Sequence, residues 1–175
     1  TDKTYHFVMA LDTSEKAAEN RAQTALRCIG QWIAAQEQRY AAVQEKMPVL
    51  ESPYPELNNF FALAPLYHES CKVQSEPGAI RAKTEHYWVW GWDGMSSSFA
   101  YAYWDDVDFM AKMLKLYQQS ADPEKGIGHW FARDMSHIET SPIPAQGFYI
   151  SLLYQFYLNS GDITPYYDFA KRIFH

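Results

Sequence analysis

The stretch Tyr87–Ser98, YWVWGWDGMSSS, sets three tryptophans at alternate positions, Trp88, Trp90 and Trp92, directly before the carboxylate of Asp93. An ionised carboxylate accepts hydrogen bonds from neighbouring hydroxyls, and an indole covers an apolar C–H face. A sugar ring presents both kinds of surface. In an extended segment alternate side chains share a face, so the three tryptophans are expected on one side, opposite Tyr87, Val89 and Gly91. A plainer reading stands beside this one: the tryptophans fill a core and Asp93 caps the helix that the serine run begins. Capping and sugar binding by Asp93 are compatible.

A second set of polar and aromatic side chains lies in HWFARDM, where His129, Trp130, Arg133 and Asp134 follow one another closely. Arg133 and Asp134 either pair with each other or face a ligand. Gln146, at the start of a later apolar segment, either donates to a hydroxyl or serves its own helix end. His68, His86 and His137 form no spaced ligand set with carboxylates, so no metal site is expected. No cofactor is called for, because nucleotide-binding and G-x-S-x-G elements are absent.

The elements that must position these residues read as helices. TYHFVMALDT is partly alternating and reads as a strand, with residues 1–12 a linker or strand from a preceding β-domain and 13–175 the helical domain. Asp12, with Glu15 at the capping-box position, is expected to cap a helix running from Ser14 to near Met47. Its apolar stripe is Ala18, Ala22, Ala25, Ile29, Trp32 and Ile33. Pro48, Pro53 and Pro55 end it, and a second helix from about Glu56 carries Leu57, Phe60, Phe61, Ala64, Tyr67 and Cys71 on one face, bent at Pro65. After Gly94 a short helix of small and apolar residues precedes DDVDFMAKMLKLYQQS. Asp105 is expected to cap that helix, whose stripe is Val107, Met110, Ala111, Leu114 and Tyr117. HWFARDM reads as extended. A helix apolar on nearly every side then stops at Gly161, and TPYYDFAKRIFH begins another, with Pro165 in its first turn. The fold class is therefore all-α. One-stripe helices alternate with all-round apolar ones, the pattern of a two-layer helical toroid built from antiparallel hairpins.

Composition narrows the partners. The chain has 175 residues, enough for a real core, and a net charge of -6 without any Lys/Arg block, so a nucleic-acid partner is not expected. Apolar stretches are short and interrupted, so no membrane span is expected. Residues 1–12 lack a signal peptide's basic start and long apolar middle, which leaves the compartment open. Cys28 and Cys71 are far apart and not in a C-x-x-C pair, so they read as two buried thiols, with a disulfide between them left open. Aromatics reach 17% of the chain against 21% charged residues, which fits either a large aromatic core or a carbohydrate-binding cleft.

HYWVWGWDGMSSSFAYAYWDDVDFMAKMLKLY, then GHWFARD, then SPIPAQGFYISLLYQFYLNSGD resemble the six-hairpin toroid glycosidases. The likeness is nearest to glycoside hydrolase family 63 and its bacterial α-glucosidase-like relatives. HFVMALDTSEKAAENRA is similar to that family's passage from an N-terminal β-domain into the toroid, so the resemblance spans most of the chain. It implies part of an α/α toroid, an α-glucoside or oligosaccharide substrate, and an inverting mechanism. In such enzymes the aspartate at the position of Asp93 binds sugar hydroxyls, and the HWFARD segment is on the sugar-facing side. An inverting acid–base pair stands about 6.5–9.5 Å apart. The family's acid and base motifs are not found among these residues, so the chain is expected to be the N-terminal half of the catalytic domain and inactive alone. Its open toroid edges would then favour self-association. A non-catalytic helical domain that binds carbohydrate or protein is the alternative.

Overall fold

The computed structural model describes residues 6–73, 75–84, 86–97, 99–132, 134–139 and 144–174. It is mostly helical, in the order α1 (Glu15–Gln44), α2 (Pro55–Cys71), β1 (Val89–Trp90), α3 (Gly91–Ser97), α4 (Phe99–Tyr103), α5 (Val107–Gln119), β2 (Trp130–Phe131), β3 (His137–Glu139), α6 (Ala145–Ser160), a 3₁₀ turn (Thr164–Tyr166) and α7 (Tyr167–Phe174). The chain divides into two compact units, residues 1–45 and 46–175.

The first unit is α1 and the segment before it. Residues 6–12 have no regular structure rather than the expected strand. An isolated extended segment has no ladder to satisfy its backbone groups. Asp12 does not cap α1: its carboxylate accepts from Thr13 and pairs with Arg21. Ser14 is the N-cap, its Oγ accepting from the Ala17 N–H at 3.3 Å. Of the expected stripe, Ala25 is buried, whereas Trp32 and Ile33 remain substantially exposed.

The second unit holds the core. α6 is its centre and packs against α3, α4, α5 and α7. Of the expected stripe of α5, Met110, Leu114 and Tyr117 have no exposed surface and Val107 and Ala111 are half-buried; Met113, outside that stripe, is fully buried as well. Tyr149 of α6 and Tyr166 of the 3₁₀ turn donate to the Leu114 and Ala111 carbonyls, tying both elements to α5. Asp106, not Asp105, caps α5, accepting from the Phe109 N–H at 3.2 Å. Asp105 instead turns the chain, with φ 55°, a left-handed conformation that aspartate tolerates better than most residues. α2 continues through Pro65, with Pro55 in its first turn. Pro65 and Cys71 are its buried residues, while Phe60 and Leu63 project into solvent. α6 ends at Gly161, whose φ of 74° closes the helix in the left-handed region.

Two features depart from an all-α expectation around the tryptophans. β1, β2 and β3 form a small antiparallel sheet in that order, with Val89 opposite Phe131 and Trp90 opposite Trp130. The helix that was expected to follow Gly94 begins at Gly91 and forms two short segments, α3 and α4.

Candidate functional site: an aromatic wall and an exposed Trp–Asp turn

Strand pairing builds the wall. Val89 and Phe131 point inward with no exposed surface, so Trp90 and Trp130 occupy the opposite face of the ladder. Their indoles stack with centroids 5.3 Å apart and planes within 8°. Trp88, two residues before Trp90, lies on the same side and meets Trp130 edge-on at 5.6 Å. His129 meets Trp90 edge-on at 5.2 Å. The indole Nε1 atoms of Trp90 and Trp130, and Nδ1 of His86, are buried with no hydrogen-bond partner among the described residues. An unmet buried donor costs about 1–3 kcal/mol, so each is a place for a water or a ligand oxygen.

Glycine permits the turn out of the sheet. The Gly91 N–H donates to the His129 carbonyl at 2.9 Å, and a Cβ on Gly91 would stand 2.6 Å from the Gly128 carbonyl oxygen. Because α3 starts here, the strand alternation stops and Trp92 leaves the face that Trp88 and Trp90 share. The expectation of three tryptophans on one face is corrected to two. Trp92 stacks instead on Phe148 of α6, at 5.8 Å and 22°, and keeps 46% of its surface exposed.

Asp93 lies in the first turn of α3, past the capping position, so it does not cap this helix with its side chain as a residue before Ser96 would. It is exposed, and among the described residues its carboxylate makes no hydrogen bond or ion pair. Beneath the same turn, a Cβ on Gly94 would meet the Tyr117 hydroxyl at 2.6 Å and the Ile80 carbonyl at 3.1 Å. That hydroxyl is buried without a partner among the described residues; burial first, and the Asp93 charge second, push its pKa far up, so it stays protonated.

The remaining sequence candidates are not gathered at this wall. Asp134 accepts from the Ser136 hydroxyl at 2.6 Å and the Ser136 N–H at 3.0 Å, which hold its carboxyl below the usual range and close a local turn. Gln146 donates through Nε2 to the Lys125 carbonyl at 3.1 Å, bracing the loop at Gly126. This is the structural alternative to a sugar contact. Arg133, and with it the Arg133–Asp134 pairing, lies outside the described residues. Among the described residues no group of His, Cys, Asp and Glu is placed to hold a metal ion. Phe148 is not singled out in the sequence, and Tyr117 stands there only as a stripe position of the helix now seen as α5. Comparison with protein-family models, curated proteins and solved structures gave no match.

Proposed function

We propose that the chain forms the sugar-binding part of an α-glucoside-directed, inverting glycosidase of the α/α-toroid type. The observation that carries this reading is the exposed turn of Trp92 and Asp93. Successive helical residues point about 100° apart, so the indole and the carboxylate form two walls of an L. A sugar ring seated there would lay its C–H face on Trp92 and direct its hydroxyl edge toward Asp93. The neighbouring wall of Trp88, Trp90 and Trp130, with its unmet indole donors, would extend the contact to a longer glucoside. The central position of α6 and the outer position of α5 suit two layers of a helical toroid. This reading gives the chain substrate contacts and assigns it neither acid nor base. Binding without hydrolysis is the alternative, favoured by Asp134 being committed to Ser136 rather than to the wall.

Titration with glucose and short α-glucosides, followed by tryptophan fluorescence, tests the proposal. Saturable quenching is expected. Asp93→Asn should weaken it about tenfold, the scale of one hydrogen bond to a charged acceptor. Trp92→Ala should remove most of the signal change. A flat response to every α-glucoside from a chain with native circular dichroism would sink the sugar reading.

A further inference from the structure

The outward side of α6 carries an unusual gradient of size. Gly147, Ser151, Tyr154 and Leu158 are all exposed and recur at spacings of four, three and four, so they form one stripe on the helix. The N-terminal half of the stripe is small: a Cβ on Gly147 would meet nothing within 4 Å. The C-terminal half is bulky, with Tyr154 and Leu158 each 58% exposed. Tyr157 and Tyr167 widen it, lining one groove with Gly161 and Asp162.

We propose that this stripe is an interface between two copies of the chain, with their α6 helices antiparallel about a two-fold axis between residues 152 and 153. Such an axis sets Leu158 of the second copy opposite Gly147, and Tyr154 of the second copy opposite Ser151. Each bulky half then fills the gap of the other's small half, as an isologous contact requires. Gly147 opposite Leu158, and Ser151 opposite Tyr154, set one small side chain against one large one in each layer, which suits ordinary helix spacings of about 8–10 Å.

Charge supports the same direction. Among the described residues α6 begins at Pro144 with no side-chain cap and no acidic residue in its first turn, so no described side chain of the same chain is shown offsetting the positive end of the helix. Asp162, just beyond the other end, is exposed. Hydrogen bonds from Thr164 hold its carboxyl below the usual range, so it is ionised at neutral pH. About the proposed axis each Asp162 falls just beyond the N-terminal end of the opposite α6. A parallel pair would instead put bulk against bulk and Asp162 against Asp162. α6 spans about 24 Å, a contact at the small end of specific interfaces, so a micromolar dimer is expected rather than an obligate one. The proposal does not depend on the sugar reading.

Sedimentation velocity from low to high micromolar concentration tests it, with Gly147→Tyr and Tyr154→Glu as variants. Gly147→Tyr fills the gap from a position with open space around it, and Tyr154→Glu places like charges near the axis. Wild type should pass from monomer to dimer, and both variants should lose at least tenfold in association constant while keeping native circular dichroism. If either variant loses helicity, Ser151→Arg, at an exposed position, takes its place. A wild type that stays monomeric throughout overturns the proposal. So does a dimer that the variants leave intact.

Discussion

Tyr117 and Gly94 are bound by a steric condition. The tyrosine hydroxyl and the Ile80 carbonyl occupy the space where a side chain at residue 94 would begin. Gly94→Ala is therefore expected to destabilise by about 1–3 kcal/mol, the usual cost of overpacking a filled site. Tyr117→Phe should be neutral or mildly stabilising, because it removes a buried hydroxyl without a partner. The double variant should recover part of the Gly94→Ala loss, and denaturant midpoints of the four proteins would measure the coupling. Equal losses with tyrosine and phenylalanine would place the conflict at the Ile80 carbonyl instead. At this scale the sequence made Trp88, Trp90, Trp92 and Asp93 conspicuous, but not their partners. The stacking of Trp90 on Trp130 comes from a strand register between residues far apart in the chain, and no local pattern encodes that register. The same limit hid Phe148, which reads as one more apolar residue of α6 until Trp92 is laid against it.

At the scale of elements, the last turn of α2 is docked by His68, whose ring meets Tyr101 at 5.8 Å and Trp104 at 5.1 Å, both edge-on. Its Nδ1 is buried without a partner. Burial, and then the charge of Lys72, hold the imidazole below the usual histidine range. Lys72 in turn pairs with Glu69 at 2.7 Å and lies 3.8 Å from Asp106. The fold thus favours the neutral ring. This contribution is complete above the unfolded value near 6.5 and is lost as pH falls through that value and the depressed folded one. Urea midpoints should drop between pH 7.5 and 5.5, and His68→Phe should flatten that part of the profile; an unchanged slope would assign it to the carboxylates. Asp106→Ala should cost about 1 kcal/mol through the lost cap of α5, visible as a lower melting temperature. Helix interiors were legible from periodicity, as α5 shows most clearly. Their ends were not: Asp105 and Asp106 are chemically equivalent caps in sequence, and backbone conformation decides between them. Asp12 and Ser14 pose the same problem at α1.

For the whole molecule, helical content and the succession of α1, α2, α5, α6 and α7 followed from pattern. The small sheet did not, because strands of two or three residues are shorter than any period can reveal. Every residue of the core cluster falls between Cys71 and Ala170, whereas α1, thirty residues long, buries Ala25. That distribution has a consequence for the energetics of unfolding. The slope of stability against denaturant, and the heat-capacity change, scale with the surface newly exposed to water. A helix that fully buries only Ala25 and leaves Trp32 and Ile33 exposed adds less to either than a core helix of its length would. The chain should consequently unfold with an m-value well below that of a fully cored protein of its length.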